Sequence, residues 1–126
     1  MEPVLEVQGG HPLTGRIKVR GAKNFVPKAM VAALLGTTPS ILKNVPLIRD
    51  VDIVCGLLEL HGVKTDYDSG SGQLLIDPSN VEAAQVASID TLAGSSRIPI
   101  LFCGPLLHRL GAVSYTHLTL PTTPYV

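Results

Sequence analysis

The sequence predicts a mixed α/β fold, and three local patterns support that prediction. Residues 16–20 alternate charged with β-branched side chains, which is typical of a half-buried strand. Residues 22–35 carry apolar side chains at intervals of three and four, which predicts a helix. Residues 63–76 contain two short strand patterns around the sequence Ser-Gly-Ser-Gly, which predicts a β-hairpin. A chain of 126 residues is long enough for one domain of this class and too short for two.

The first half of the chain contains three further predicted elements. Residues 4–7 and 40–45 are candidates for short strands. Asp50 is a good N-cap for a helix over residues 51–61, because apolar side chains recur there at helical spacing. Gly62 then marks the end of that helix.

The second half of the chain is less regular. Residues 77–93 have a weak pattern, which predicts a loop with a short strand. A last helix is predicted over residues 97–110, with Ser95 or Ser96 as its N-cap. The Gly-Pro pair at 104–105 lies inside this helix, so we expect a kink there. The predicted order is strand, strand, helix, strand, helix, hairpin, helix.

The composition excludes several classes of partner. Ten Lys and Arg residues balance ten Asp and Glu residues, so no net charge attracts nucleic acid or an anionic membrane. No uncharged run within the predicted domain approaches the ~20 residues that a membrane helix needs, and no secretory signal is visible. Two cysteines do not make a disulfide framework. We therefore expect a soluble, cytoplasmic protein.

The neutral net charge conceals a basic cluster near the first predicted helix. Five basic residues and no acidic residue occur between positions 16 and 28: Arg16, Lys18, Arg20, Lys23 and Lys28. Such a cluster at a helix start is suited to a small anion such as a phosphate. The alternative for Arg16, Lys18 and Arg20 is that they form the solvent-exposed face of a strand.

The segment Gly21-Ala22-Lys23-Asn24 is the most informative part of the cluster. A glycine at a strand end permits a tight turn, and the helix that follows offers N–H groups and a positive dipole end. Lys23 adds a compact charge for a phosphate or carboxylate, and the Asn24 amide can donate to an oxygen. The segment is thus a candidate anion cradle. The alternative is that Lys23 is an ordinary surface lysine.

Arg97 is a second candidate anion ligand. It lies at the start of a predicted helix, where a cation opposes the helix dipole. Its guanidinium group can bind a phosphate or carboxylate through two hydrogen bonds. The alternative is a surface or salt-bridged arginine.

No metal site or known nucleotide loop is predicted. His11, His61, His108 and His117 are isolated from one another and from both cysteines. Cys55 and Cys103 fall inside apolar helices and are interpreted as small buried apolar residues. The sequence contains no phosphate-binding loop ending in Gly-Lys-Ser/Thr, no dinucleotide fingerprint and no nucleophile elbow.

Residues 114–126 differ in composition from the rest of the chain. They contain no charged residue, four threonines and two prolines, and they show neither helical nor strand periodicity. The string SYTHLTLPTT resembles translated sequencing-adapter read-through. We interpret this tail as artefactual.

Four segments, taken in their order and spacing, resemble a known family, the UDP-N-acetylglucosamine 1-carboxyvinyltransferases within the enolpyruvyl transferases. The resemblance covers residues 4–113. It rests on VQGGHPLTGRIKVRGAKN (7–24), AALLG (32–36), NVPLIRDVDIVCGLLELHGV (44–63) and SSRIPILFCGPLLHRLG (95–111).

The resemblance implies an inside-out α/β barrel that is incomplete in this chain. It implies that residues 1–21 form strands of the other, missing domain, and that residues 22–113 form part of an enolpyruvyl transferase domain. Residues 114–126 are then the tail. The catalytic acid of the family belongs to a mobile loop expected just after Val113, so we expect this fragment to be inactive. Cys103 lies in the preceding helix and is not assigned that role.

The resemblance also implies the substrates and their ligands. Lys23 and Asn24 are expected to contact phosphoenolpyruvate, and Arg97 is expected to help hold phosphoenolpyruvate and UDP-N-acetylglucosamine. The reaction opens peptidoglycan synthesis and requires no metal or cofactor, and no nucleic acid, membrane or obligate protein partner is expected. Two alternatives remain open. One is the shikimate-pathway homologue, in which a Lys-Ser pair is expected in place of Lys23-Asn24, and the other is a non-catalytic α/β binding module.

Overall fold

A computed structural model describes residues 2–94, 97–115 and 118–121. It has four helices in the order α1 Val26–Ala32, α2 Arg49–Leu60, α3 Val86–Ala93 and α4 Cys103–Leu110. Two 3₁₀ helices, Ala33–Leu35 and Ile98–Phe102, continue α1 and precede α4. The strands are β1 Ser40–Leu42, β2 Lys64–Asp68, β3 Gln73–Asp77, β4 Ala112–Tyr115 and β5 Leu118–Pro121. The predicted mixed α/β character is therefore confirmed.

One face of a three-stranded antiparallel sheet is covered by the helices. The sheet has the order β1-β3-β2, and Leu75 of β3 lies opposite both Ile41 and Asp66. Leu74 and Ile76 point into the core, whereas Leu75 and Ile41 face outward. The core is a single apolar cluster of Val26, Met30, Val31, Leu34, Val45, Val51, Val54, Leu57, Leu58, Val63, Leu74, Ile76, Ile89, Ile98, Phe102 and Leu106.

The hairpin of β2 and β3 forms where the sequence predicts it. Its turn is closed by Asp68, whose carboxylate accepts hydrogen bonds from the Gly70 N–H at 3.0 Å and the Ser71 hydroxyl at 2.8 Å. The predicted strand at 40–45 is shorter than expected, because Asn44 adopts a left-handed backbone with φ of 60°. That conformation ends the extended run and suits asparagine better than most residues.

The first two predicted helices also form, with shifted starts. α1 has Pro27 in its first turn, as predicted, since a missing N–H costs nothing there. The expected N-cap role of Asp50 is wrong. α2 begins at Arg49 after an extended Ile48, and no side chain caps it. Asp50 instead lies in the first turn, where a carboxylate complements the helix dipole.

The predicted strands at 4–7 and 16–20 are not formed. Residues 2–20 have no ladder partner within the described part of the chain, and their apolar side chains stay in water, with Val4 91% and Ile17 90% exposed. Alternation specifies a strand only when a neighbouring strand and a core are present to receive it.

The prediction of a loop with a short strand over residues 77–93 is also wrong in part. Residues 86–93 form α3, although the helix has no side-chain cap and only a short apolar pattern. Ile89 of α3 is buried, and Leu92 lies so close to α2 that a Cβ atom at Gly56 would be 2.6 Å from it. Packing against α2 therefore stabilises a helix that local sequence does not indicate.

The single kinked helix predicted over 97–110 is two consecutive helices. Residues 98–102 are a 3₁₀ helix and α4 starts at Cys103, so the change lies just before the Gly-Pro pair. Pro105 has no N–H to donate to the Leu101 carbonyl, which removes one α-helical hydrogen bond at this point. The proposed caps Ser95 and Ser96 lie outside the described residues.

The absence of regular structure predicted for the tail is also wrong in part. β4 and β5 pair in antiparallel register, with Val113 opposite Leu120 and Ser114 opposite Thr119. Threonine and tyrosine favour extended backbone, and Pro121 is tolerated at a strand end. Residues 116–117 and 122–126 lie outside the described part of the chain.

Arg109 connects the helices to the sheet. Its guanidinium group donates to the Leu34 carbonyl at 3.0 Å, the Gly36 carbonyl at 2.6 Å and the Pro78 carbonyl at 2.8 Å. These carbonyls belong to the end of the first 3₁₀ helix, the residue after it, and the residue after β3. A planar group with several N–H donors can satisfy all three at once.

His61 is buried at the C-terminal end of α2, where the sequence predicts it. Its Nδ1 lies 2.7 Å from the Leu57 carbonyl, and its ring stacks on Phe102 with centroids 5.6 Å apart. Because a carbonyl only accepts, Nδ1 carries the proton. Burial lowers the pKa of His61, and the hydrogen bond to Leu57 partly opposes that effect.

Replacing Arg109 by lysine should destabilise the fold. An ammonium group cannot span three carbonyls, so Arg109→Lys leaves part-buried acceptors unsatisfied and should lower the free energy of unfolding by about 1–3 kcal/mol. Urea denaturation of the 126-residue chain measures the change. Arg49→Lys is the matched control, because Arg49 is exposed on α2 and the same substitution there should change stability by less than about 0.5 kcal/mol. Equal stability of both variants would contradict the role of Arg109.

The free energy of unfolding should decrease as the pH falls through a window set by His61. Below its ordinary pKa of about 6.5, the unfolded chain binds a proton that the folded chain, with a lowered pKa, does not. The free energy of unfolding is therefore fully retained above about pH 7.5 and falls below it by at most about 1.4 kcal/mol per pH unit. The fall ends once the pH is below the lowered pKa.

Urea denaturation at a series of pH values between 8 and 5 tests this dependence on His61. His61→Gln should flatten the profile, since it removes the titrating group. His108→Gln should leave the profile unchanged, because His108 is exposed. A profile that keeps its slope in His61→Gln would show that another group is responsible.

Candidate functional site

A cleft of about 500 Å³ opens where the segment before α1, the start of α2 and the second 3₁₀ helix meet. Polar and charged side chains form one part of its lining, and apolar side chains form the other. The lining residues are Lys23, Asn24, Pro27, Lys28, Asp50, Arg97, Ile98, Ile100 and Leu101. The three residues predicted from the sequence as anion ligands thus share one cleft.

Two parallel helical segments place Lys23 and Arg97 at the same end of the helical layer. The first segment is α1 with the 3₁₀ helix Ala33–Leu35, and the second is the 3₁₀ helix Ile98–Phe102 with α4. The beginning of the first packs against the beginning of the second, and the end of the first packs against the end of the second. The two segments therefore run in the same direction. Lys23 and Asn24 precede the first segment and Arg97 directly precedes the second, so all three meet at their common start.

The backbone before α1 is fixed by a close approach to Asn44. The Gly21 N–H donates to the Asn44 carbonyl at 2.9 Å, and the Asn44 side chain donates to the Val19 carbonyl at 3.2 Å. A Cβ atom at Gly21 would lie 2.7 Å from that Asn44 carbonyl, so only glycine fits here. Close approach, rather than the tight turn expected from the sequence, is the reason for Gly21.

The anion cradle differs from the one that the sequence predicts. The N–H groups of Phe25 and Val26 both donate to the Ala22 carbonyl, at 3.2 and 3.1 Å. Those backbone donors are used within the protein. The anion-binding capacity of the cleft therefore depends on side chains, namely Lys23, Lys28 and Arg97 with the amide of Asn24.

The charges in the cleft are not neutralised by one another. Three cations, Lys23, Lys28 and Arg97, and one carboxylate, Asp50, line it. Across residues 2–94 and 97–111, none of these three cationic side chains donates to a protein acceptor. They are also exposed, so their full hydrogen-bonding capacity remains for a ligand. Such a set favours a ligand with more than one negative charge.

An apolar surface completes the cleft. Ile98 is buried and fixes the wall, whereas Ile100 is 56% exposed beside the cations. Pro27 is buried in the first turn of α1. This apolar wall excludes water from one side of a bound anion. Charge–charge contacts there are stronger than the same contacts in bulk water.

Sequence reasoning missed two charged residues of the cleft. Lys28 belongs to the basic cluster but is not singled out by the sequence. In the helix predicted over residues 22–35 it follows Asn24 by four residues, a spacing that puts both residues on the same face of that helix. Asp50 was interpreted only as a cap, and no sequence signal relates it to Lys23 or Arg97. Their proximity is a product of the tertiary packing.

The cysteines lie outside the cleft. Neither cysteine is in a disulfide. Both pack against the core and remain partly exposed, so the prediction that they are buried is wrong in degree. Burial raises the pKa of the Cys55 thiol to about 11, despite a side-chain hydrogen bond with Thr65. A neutral thiol is a poor nucleophile.

Two negative findings concern the part of the chain that the structure covers. Among those residues, no group of three or more His, Cys, Asp and Glu side chains is placed to hold a metal ion. Within the same residues, no helix has the length and apolar character needed to cross a membrane.

Comparison with known proteins gives the relationships of the chain. Residues 7–121 match the family described as EPSP synthase (3-phosphoshikimate 1-carboxyvinyltransferase). The UDP-N-acetylglucosamine 1-carboxyvinyltransferase of Protochlamydia amoebophila is 36% identical over 106 residues, which are 84% of this chain and 22% of the relative. The enzyme of the same name from Finegoldia magna is 39% identical over 108 residues, or 86% and 25% of the two chains. This chain therefore spans about a quarter of the length of these relatives.

The fold agrees with a solved structure. The enolpyruvyl transferase NikO from Streptomyces tendae superimposes with a TM-score of 0.69 at 20% identity, over 83% of this chain and 24% of its own. This likeness confirms the predicted α/β fold of an enolpyruvyl transferase, of which the chain contains a part. The family match across most of the sequence, the identity to named relatives and the shared fold lead to one conclusion: this chain belongs to the EPSP synthase family of enolpyruvyl (carboxyvinyl) transferases.

Proposed function

We propose that the chain is the substrate-binding part of an enzyme that transfers the enolpyruvyl group from phosphoenolpyruvate to the 3-hydroxyl group of UDP-N-acetylglucosamine. The observation that carries this proposal is the single cleft that contains Lys23, Asn24 and Arg97. The sequence resemblance implies these three residues as ligands: Lys23 and Arg97 carry the positive charges that a phosphate and a carboxylate require, and Asn24 can donate a hydrogen bond. The named relatives support this acceptor.

In this proposal Lys23 and Arg97 hold the anionic groups of phosphoenolpyruvate during the reaction. A base takes the proton of the sugar hydroxyl as its oxygen adds to C2, and an acid protonates C3, which gives a tetrahedral intermediate. The C2–O bond to phosphate then breaks with release of inorganic phosphate, and C3 returns a proton to the conjugate base of that acid as the enol ether forms. Lys23 and Arg97 stabilise the phosphate and carboxylate charges throughout these steps, and Asn24 donates a hydrogen bond to an oxygen.

The shikimate-pathway reaction is the second candidate, because the matched family carries that name. Asn24 favours the nucleotide sugar, since a Lys-Ser pair is expected for the shikimate enzymes. We further propose that the protein acts in the cytoplasm in the first committed step of peptidoglycan synthesis. A reducing compartment is in keeping with Cys55 and Cys103, neither of which is in a disulfide.

We also propose that the 126-residue chain does not catalyse the transfer alone. It spans about a quarter of the length of its relatives. A proton donor for C3 is expected in the loop after Val113. Without closure and a positioned acid, contacts that exist only in the transition state cannot form.

Removing the Lys23 ammonium should weaken the binding of phosphoenolpyruvate. The lysine contributes charge-assisted hydrogen bonds, so Lys23→Ala should raise the dissociation constant at least about tenfold. A titration with phosphoenolpyruvate followed by two-dimensional ¹H–¹⁵N NMR measures this constant. It should also show shifts concentrated at Lys23, Asn24 and Arg97.

Lys43→Ala is the control for that titration, because Lys43 is an exposed lysine that does not line the cleft. It should bind phosphoenolpyruvate as the unmodified chain does. Unchanged binding in Lys23→Ala, or shifts that lie mainly outside the cleft, would refute the assigned phosphate contact.

The second prediction concerns turnover. Incubated with millimolar phosphoenolpyruvate and UDP-N-acetylglucosamine, the 126-residue chain should release no inorganic phosphate above the enzyme-free background, because binding without a positioned acid does not lower the barrier. A coupled phosphate assay provides the measurement. Release that depends on protein concentration and disappears in Lys23→Ala would show that the chain is active by itself.

A further inference from the structure

Tyr67 of β2 has a hydroxyl group whose hydrogen bond the proposed function does not use. The side chain is half-buried, and the hydroxyl donates to the Val45 carbonyl at 2.9 Å. Because residue 46 is proline, the peptide group after Val45 has no N–H, and this carbonyl is its only hydrogen-bonding group. Tyr67 therefore supplies the donor that fixes this peptide group, on a residue that is itself buried.

The preceding peptide group, between Asn44 and Val45, connects the hairpin to the segment before α1. Its N–H donates to the Gly72 carbonyl in the hairpin turn at 2.8 Å, and its C=O accepts from the Gly21 N–H at 2.9 Å. A planar peptide group moves as a unit, so a rotation that weakens one of these bonds also weakens the other. Asn44 has φ of 60°, which is costly for a residue other than glycine, so the bonds around it hold it in that conformation.

Gly21 transmits the position of that peptide group to the cleft. It lies two residues before Lys23 and three before Asn24, both of which line the cleft. The gap between Gly21 and the Asn44 carbonyl is too small for a Cβ atom, which would lie at 2.7 Å, so a shift of Asn44 moves the start of this segment. Tyr67 does not itself line the cleft. Any effect of its hydroxyl on a bound anion must therefore pass through this backbone.

We propose that Tyr67 is a positioning residue of the anion cleft. By holding the Val45 carbonyl, its hydroxyl keeps the Asn44 carbonyl on the Gly21 N–H. It thereby fixes the backbone from which Lys23 reaches the phosphate group of the substrate, which reduces the freedom that must be lost on binding. The inference rests on the proposed function for the identity of that substrate. The hydrogen bonds that connect Tyr67 to Gly21 are independent of it.

Tyr67→Phe tests this role, because it removes one oxygen atom and keeps the ring. Losing a neutral hydrogen bond changes a local equilibrium about two- to tenfold, so the amide hydrogen of Gly21 should exchange with water faster by about that factor. The dissociation constant of phosphoenolpyruvate should rise at least about twofold, since it increases as the fraction of binding-competent molecules falls. ¹H–¹⁵N NMR of the 126-residue chain measures both quantities.

Thr65→Val is the matched control. It removes a hydroxyl group from the same face of β2, two residues before Tyr67, but that hydroxyl donates to Glu59 Oε1 on α2 at 3.1 Å. Gly21 exchange and the affinity for phosphoenolpyruvate should both stay as in the unmodified chain, because the two hydroxyls share no partner. An equal loss of affinity in Thr65→Val would overturn the proposal, since it would indicate a general effect of destabilising β2.

A double variant shows whether Tyr67 acts through Lys23. In a Lys23→Ala background, Tyr67→Phe should weaken phosphoenolpyruvate binding by a smaller factor than in the unmodified chain, because the side chain that Tyr67 positions is already absent. The same factor in both backgrounds would contradict a role that passes through Lys23.

Two further outcomes for Tyr67→Phe would overturn the role of Tyr67 and leave the proposed function intact: unchanged Gly21 exchange, or unchanged affinity for phosphoenolpyruvate. Packing of α1 would then be sufficient to position the cleft residues. If phosphoenolpyruvate perturbs no residue of the cleft in the unmodified chain, the proposed function fails instead. Gly21 exchange still decides the structural part in that case, because faster exchange in Tyr67→Phe supports the connection and unchanged exchange overturns it.

Discussion

The guanidinium group of Arg109 fixes the relative position of the parts from which the fold is built. The carbonyls of Leu34 and Gly36, at the end of the first helical segment, and of Pro78, after β3, converge on it. The bonds to Leu34 and Pro78 are part-buried, and a part-buried acceptor that loses its donor is costly. One side chain of α4 thereby ties the end of the first helical segment to the end of β3. The helical layer and the sheet can then share one core.

The cleft follows from the same arrangement. Arg109 holds the C-terminal ends of the two parallel helical segments together. Their N-terminal ends are therefore also neighbours, and Lys23 and Arg97 lie just before those ends. The chain that enters the cleft is fixed independently by Asn44, which accepts from the Gly21 N–H and donates to the Val19 carbonyl. The backbone is thus held firmly while the cationic side chains remain available. Such preorganisation is what an anion site requires.

The chemistry of the cleft agrees with membership in the enolpyruvyl transferase family. Cationic side chains, rather than backbone N–H groups, supply its charge, because the Ala22 carbonyl already accepts from Phe25 and Val26. Lys28 and Asp50 contribute further charged side chains to the lining of the cleft.

The sequence by itself determined the α/β class, the hairpin at residues 63–76, α1 and α2, and the family, and it singled out Lys23, Asn24 and Arg97, which line one cleft. Each depends on local periodicity, turn chemistry or a motif, which neighbouring residues specify. Only the tertiary structure decided that α3 is a helix, since Leu92 of α3 packs against Gly56 of α2. It also decided that residues 16–20 form no strand ladder with any other described residue. Only the tertiary structure placed Asp50 and Lys28 beside Arg97, because contacts between residues far apart in sequence have no local signature.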